Sequence, residues 1–159
     1  MSDLHSVYLS LGSNIQPEIH LRQAIQMLRS HGRVEAVSDV WQSHAVGSNG
    51  PDFLNACTLF LSRWQPDELK EQVLRPIESK LGRVRTAEKN APRTVDLDVL
   101  LCDGVPLNIE LWAYAFVIVP LADLIPEFIH PVSGVALVSA AEQVQGRTWI
   151  VRREDVLIS

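Results

Sequence analysis

The chain has 159 residues and a mass of 17.8 kDa, with 47% hydrophobic and 21% charged residues, which is the size and composition of one globular domain spanning 1–159. Its net charge of −5 and pI of about 5.5 argue against a protein that wraps nucleic acid through many phosphate contacts. The longest apolar run, Ala113 to Leu121, is broken at Pro120 and is far short of the roughly 20 residues that span a bilayer, so no membrane partner is expected.

The chain begins Met-Ser-Asp-Leu-His without the basic and apolar regions of a signal peptide, and a cytoplasmic location is expected. From Ser6 to Leu11, Val7, Leu9 and Leu11 alternate with Tyr8 and Ser10, the pattern of a half-buried strand that ends in the Gly12-Ser13-Asn14 turn. Pro17 suits a first helical turn, Leu21, Ala24, Ile25 and Leu28 recur at helical spacing, and Gly32 ends the segment. A second strand is predicted over Val34 to Trp41, a loop over His44 to Asp52, and a central strand over the nearly continuous apolar run Phe53 to Leu61.

Pro66-Asp67-Glu68 opens a helix whose stripe is Leu69, Val73, Ile77 and Leu81, with Gly82 as its stop and a kink predicted at Pro76. Thr94 to Leu101 reads as a strand with Val95, Leu97, Val99 and Leu101 on one face. The order strand, helix, strand, strand, helix, strand is the ferredoxin-like βαββαβ core, an α+β fold with helices on one face of an antiparallel sheet. A C-terminal extension adds a short helical turn at Pro120 to Leu124, a helix over Ser133 to Gln143 and a strand over Thr148 to Val151.

Charge is unevenly placed. Between Arg75 and Arg93 stand Arg75, Lys80, Arg83, Arg85, Lys89 and Arg93 against Glu78 and Glu88 alone, and the strand that follows carries Asp96 and Asp98. Strand alternation puts these carboxylates on one face with Cβ atoms about 7 Å apart. Alone, the pair reads either as a solvated outer face or as a site for magnesium, which is usually held by one or two carboxylates plus substrate phosphates. Arg83, Arg85 and Arg93 flank it, and guanidinium groups match phosphate oxygens in a fixed fork geometry. A solubilising patch would account for the charge but not for the Ala91-Pro92 stiffener or the adjacent aspartates.

Asn55 is the polar residue of the central strand. It either fills a backbone hydrogen-bonding gap or pairs with the donor and acceptor edge of a heterocycle, with Phe53 as a stacking face. Cys57 and Cys102 lie in apolar runs without a second Cys or His at ligand spacing, so neither is expected to bind metal or act in redox chemistry.

The run Lys89-Asn90-Ala91-Pro92-Arg93-Thr94-Val95-Asp96-Leu97-Asp98-Val99-Leu100 resembles the signature of the 6-hydroxymethyl-7,8-dihydropterin pyrophosphokinase family of folate biosynthesis. The resemblance extends to Leu9-Ser10-Leu11-Gly12-Ser13-Asn14, Pro51-Asp52-Phe53-Leu54-Asn55-Ala56 and Phe116-Val117-Ile118-Val119-Pro120-Leu121. It implies that ATP gives its β,γ-pyrophosphoryl group to the pterin hydroxymethyl oxygen and leaves as AMP. Asp96 and Asp98 match carboxylates that hold two magnesium ions. Arg83 and Arg93 match arginines that assist transfer, and Glu78, Arg85, Arg93 and Val99 match nucleotide positions. Ser43, Val46, Phe53, Asn55 and Phe116 match pterin positions. Both partners are then small molecules, ATP and the pterin, and a monomer is expected.

The chain departs from the family pattern before Phe116, and also at Asn90, where some members carry a Trp, and at Arg75, where a Gln is common. Before Phe116 the segment Leu107 to Ala115 is short, contains no His-Pro, and puts Tyr114 where an Arg is expected. That departure motivates an alternative, a pterin- or nucleotide-binding homologue with weak or no transfer. It also leaves Arg75, on the helix leading into the basic loop, as a substitute cation.

Overall fold

The computed structural model describes residues 4–84 and 92–159, and among them seven strands join in one antiparallel sheet. β1 (His5–Ser13) lies between β4 (Phe53–Ser62) and β5 (Asp96–Cys102). β5 carries the short β6 (Val105–Pro106) on its far side. β2 (Arg33–Val37) and β3 (Trp41–Ser43) share the other edge of β4, and β3 pairs with β7 (Ile150–Arg152).

The single second strand predicted over Val34 to Trp41 is thus two strands. Ser38 interrupts it by accepting the Cys57 N–H with its hydroxyl at 2.8 Å while its own N–H donates to the Cys57 carbonyl at 2.9 Å. A short polar side chain has replaced one rung of the ladder.

The helices of the βαββαβ core cover one face. α1 (Pro17–Arg29) buries Leu21, Ala24, Ile25 and Leu28 against Val7, Leu9 and Leu11 of β1 and Leu54, Ala56 and Phe60 of β4. The second helix is composite: α2 (Pro66–Leu69), a π-helical turn (Lys70–Leu74) and α3 (Arg75–Lys80). The kink predicted at Pro76 is realised as this π turn, in which the Arg75 N–H reaches back to the Lys70 carbonyl. Widening the turn ahead of a proline relieves the clash between its ring and the carbonyl one turn earlier. Gly82 stops α3 as expected: at φ 88 it lets the Arg83 N–H close on the Glu78 carbonyl at 3.0 Å.

The other face is not left open, in contrast to the plan with helices on one side. α4 (Ala115–Leu124) and α5 (Leu137–Gln145) pack there on Cys57 of β4 and Leu100 and Leu101 of β5. A central strand as apolar as β4 requires cover on both sides. α4 also runs straight through Pro120 rather than starting there. Val117, Ile118, Val119, Pro120 and Leu121 are all buried, and that burial outweighs the roughly 3 kcal/mol cost of a proline inside a helix. The C-terminal helix begins four residues later than predicted, at Leu137, and the last strand begins at Ile150.

β5 departs from simple alternation as well. Its register with β1 shifts between Tyr8 and Leu9, which pair with Leu101 and Val99, so Leu100 is an extra residue. Leu97, Val99 and Cys102 therefore face α1, whereas Leu100 and Leu101 face α4. Leu101 sits on the face opposite to the one alternation assigns it, because one bulged residue inverts the phase of everything after it.

Gly32, which follows α1, admits no side chain. A Cβ there would lie 2.5 Å from Phe60 Cζ and 2.7 Å from the Leu61 carbonyl oxygen. Since the second contact is backbone, Gly32→Ala is expected to cost about 1 to 3 kcal/mol in urea unfolding, with an unchanged m-value. No helix among the described residues is long and apolar enough to cross a membrane.

Candidate active site

The α4 face of the sheet opens into a cavity of about 190 Å³ at the end of β1 where Gly12 pairs with Asp96 and Asn55. Ser10 and Gly12 of β1, Phe53 and Asn55 of β4, and Asp96 and Asp98 of β5 reach it because they occupy the positions out of phase with the α1 core. Ser43 and Val46 close one side, and Leu111, Tyr114, Phe116 and Val117 form the wall from α4 and the turn before it. Phe116 stacks on Tyr114 with ring centres 5.0 Å apart, giving an aromatic surface opposite a sheet floor.

Asn55 is 1% exposed. Its amide nitrogen donates to the Trp41 carbonyl at 3.1 Å and to Ser43 Oγ at 2.9 Å. A carbonyl can only accept, so the amide orientation is fixed, and Oδ1 accepts no hydrogen bond from the described residues. Both readings of Asn55 therefore hold together: it fills a backbone gap with its N–H groups and presents an acceptor to the cavity.

The carboxylates differ from one another. Asp96 accepts Arg83 Nη1 at 2.5 Å and Arg93 Nη1 at 3.1 Å, one arginine on each oxygen. The Asp98 side chain accepts no hydrogen bond from the described residues, and burial first, then the Asp96 charge, push its carboxyl up to about 6. Two carboxylates on one strand face, one ionised with difficulty beside the other, form a hard-oxygen donor set whose charge conflict a dication would remove, so these residues fit magnesium.

Glu78 stands beneath this pair, 2% exposed. It accepts Arg75 at 2.7 Å, Arg83 at 3.1 Å and the Leu97 N–H at 2.8 Å, joining α3 to β5 and aiming both arginines. It lines neither this cavity nor the neighbouring groove, so its place is that of a positioning residue rather than a wall. Arg93 lies 5.9 Å above the Phe53 ring, and its backbone is held through Asn14, whose Oδ1 accepts the Arg93 N–H at 2.8 Å. Asn14 Nδ2 also donates to the Pro51 carbonyl at 3.2 Å, so one side chain ties three segments around the cavity.

A groove of about 540 Å³ lies beside the cavity, lined by Lys70, Leu74, Arg75, Val99, Leu107 and Asn108 among others, and Asp98 borders both. The π turn belongs to this wall and places Lys70 and Arg75 on it.

The sequence model of the family described as 7,8-dihydro-6-hydroxymethylpterin-pyrophosphokinase (HPPK) matches residues 8–126. The chain belongs to this family. It is 36% identical over 151 residues to a 2-amino-4-hydroxy-6-hydroxymethyldihydropteridine pyrophosphokinase of Synechocystis, covering 88% of this chain and 76% of that protein. A protein of the same name from Pseudomonas aeruginosa is 33% identical over 140 residues, with 80% and 85% covered. The folic acid synthesis protein fol1 of Pneumocystis carinii is 31% identical over 153 residues; the match covers 89% of this chain but 20% of that longer protein.

Among solved structures, an HPPK-DHPS described as in complex with substrates aligns with TM-score 0.68 and 10% identity over 90% of this chain and 44% of its own. A Plasmodium falciparum HPPK-DHPS aligns with TM-score 0.66 and 11% identity over 91% and 45%. At that identity the likeness concerns the fold, and the chain spans less than half of those two proteins.

Of the residues named from the HPPK resemblance, Ser43, Val46, Phe53, Asn55, Arg93, Asp96, Asp98 and Phe116 meet in the cavity, and Val99 lines the groove. Arg83 reaches the site through Asp96, Glu78 lies below it, and Arg85 falls outside the described residues. Sequence reasoning missed Ser10, Gly12, His44, Leu111 and Tyr114 as lining residues and Asn14 as the tie. The signal for Ser10 and Gly12 was present, since they alternate with the buried Leu9 and Leu11. His130-Pro131 is placed away from the cavity: the His130 ring, 7% exposed, donates from Nε2 to the Trp112 carbonyl and accepts the Val132 N–H at Nδ1, supporting the turn Ile109–Ala113.

Proposed function

We propose that this chain transfers the β,γ-pyrophosphoryl group of ATP to the hydroxymethyl oxygen of 6-hydroxymethyl-7,8-dihydropterin, with magnesium, as a cytoplasmic enzyme of folate biosynthesis. The observation that carries this reading is Asp98 bordering two spaces, an aromatic cavity with an amide acceptor and a polar groove where Lys70 and Arg75 stand with Asp67 and Glu68. The pterin would enter the first, between Phe53 and Phe116, with an N–H of its ring donating to Asn55 Oδ1. The triphosphate would lie along the second, near Arg75 and Lys70, with its β and γ groups turned toward Arg83 and Arg93.

Asp96 and Asp98 would hold magnesium, expected as two ions, which when bound would neutralise charge on the triphosphate. The hydroxymethyl oxygen forms its bond to the β-phosphorus as the bond from that phosphorus to the α,β-bridging oxygen breaks. AMP leaves with that oxygen, and the hydroxyl proton passes to water. No strong base is required of the chain, because alignment and charge neutralisation supply most of the rate in such transfers. Arg83 and Arg93 are well suited to the second task, being held at the reacting end by Asp96, Glu78 and Asn14.

Asn55→Ala tests the acceptor side. It is expected to weaken pterin binding about 10- to 100-fold in calorimetry while nucleotide binding is unchanged, since an unmet buried N–H costs on the order of 1 to 3 kcal/mol. Unchanged pterin affinity would contradict the assignment. A second reading, a binding homologue with little transfer, is favoured by Tyr114 on the cavity wall where the family pattern calls for an Arg. Tight pterin and nucleotide binding without AMP formation would select it; pterin-dependent AMP formation selects the first.

A further inference from the structure

Sequence spacing gives Cys102 no ligand partner, but the fold does. β1 begins at His5 and runs antiparallel to β5, which ends at Cys102, and Asp103 and Gly104 then turn the chain into β6 at φ 49 and 84. His5 Nδ1 lies 2.7 Å from Asp103 Oδ2, and Cys102 Sγ lies 3.9 Å from the same oxygen. One ligand atom from each of the three falls within 4.8 Å of both others. Ligand atoms around tetrahedral zinc are about 3.3 to 3.8 Å apart, given bonds of about 2.0 to 2.3 Å, so these separations bracket the required ones.

We propose that His5, Cys102 and Asp103 form a site for zinc, with a fourth position open to water. The donor set of one sulfur, one imidazole nitrogen and one carboxylate oxygen suits zinc and disfavours magnesium, which prefers oxygen alone. The carboxylate is already oriented: Asp103 Oδ1 accepts the Ser6 N–H at 2.8 Å, and the Asp103 N–H donates to the Ser6 carbonyl at 2.9 Å. Exposure grades as such a site needs, with side chains of His5 at 27% and Asp103 at 51% beside a Cys102 that is 9% exposed.

On binding, the Cys102 S–H bond breaks, its proton leaves to water and the sulfur lone pair forms the bond to zinc. Neutral His5 shifts its ring proton from Nδ1 to Nε2, which breaks its hydrogen bond to Asp103 Oδ2, and gives the freed Nδ1 lone pair; Asp103 gives one carboxylate oxygen, and nothing is oxidised or reduced. The site would clamp the start of β1 to the β5–β6 turn. It lies five residues along β1 from Ser10, the nearest residue of that strand to line the cavity, roughly 17 Å away, so it is separate from the proposed transfer chemistry.

Cobalt(II) added to the reduced, metal-free protein provides the test. The expected result is a cobalt–thiolate charge-transfer band that saturates at one equivalent and is displaced by zinc. Cys102→Ser abolishes the band, His5→Ala and His5→Gln each weaken affinity more than about tenfold, and Asp96→Asn leaves both unchanged. Absence of the band at saturating cobalt would overturn the proposal and reduce the cluster to an ion pair with a turn cap. A band that persists in Cys102→Ser, or that is unaffected by both His5 substitutions, would overturn it equally.

Discussion

Glu78→Ala is expected to cost about 3 to 5 kcal/mol, lowering the thermal midpoint by about 6 to 20 °C for a domain of this length. The side chain is buried and answers three donors at once, the Arg75 and Arg83 guanidinium groups and the Leu97 N–H. Its removal takes one counter-charge from each guanidinium, leaving Arg83 with Asp96, and leaves a strand N–H without an acceptor, which is the costly way to break a buried pair. Glu78→Gln keeps one acceptor for Leu97 and is expected to lose about half as much. Since Arg83 is also released from one of its anchors, transfer should fall with stability, and calorimetric melting checks the first part. A midpoint within about 2 °C of the parent would show that Glu78 is not the strut described.

Asp98→Asn is expected to act in opposite directions on stability and activity. In the free protein the folded carboxyl stands at about 6 against an ordinary value of 3.8, raised by burial first and by Asp96 second. The folded state therefore binds the proton more tightly than the unfolded chain. That contribution to stability is complete below about 3.8 and is lost as pH rises through about 6. Asparagine mimics the protonated form, so at pH 8 and without metal the variant should be more stable by about 3 kcal/mol. Magnesium requires the carboxylate, and its affinity for the parent protein should fall about tenfold between pH 7 and pH 5. Transfer by the variant should fall at least a hundred- to a thousand-fold. Melting curves with and without magnesium check the sign; a destabilised, active Asp98→Asn protein would refute the assignment.

The Asp96 and Asp98 pair was legible because period-2 alternation holds along β5 ahead of its bulge. The phase that buries Leu9, Leu11, Leu54, Ala56, Leu97 and Val99 against the α1 side sends Ser10, Gly12, Phe53, Asn55, Asp96 and Asp98 to the cavity. What escaped depended on contacts that local pattern does not encode. The bulge at Leu100 has no residue signature, yet it reverses the faces of Leu101 and Cys102. Pro120 reads as a helix stop on local propensity and is overruled by burial of α4 on every side. Asn14 looks like a turn residue, and its three hydrogen bonds to Pro51 and Arg93 exist only once the loops converge. The meeting of His5 with Asp103 spans 98 residues of sequence, which is why spacing gave the neighbouring Cys102 no partner.

The central claim is that two carboxylates, two arginines and an aromatic amide pocket serve one pyrophosphoryl transfer. Phosphorus NMR of the chain with ATP, magnesium and 6-hydroxymethyl-7,8-dihydropterin tests it most directly. The expected result is equal amounts of AMP and a pterin diphosphate, dependent on the pterin and lost in Asp96→Ala. Formation of ADP with a pterin monophosphate, or no pterin-dependent AMP at saturating magnesium and ATP, would contradict it.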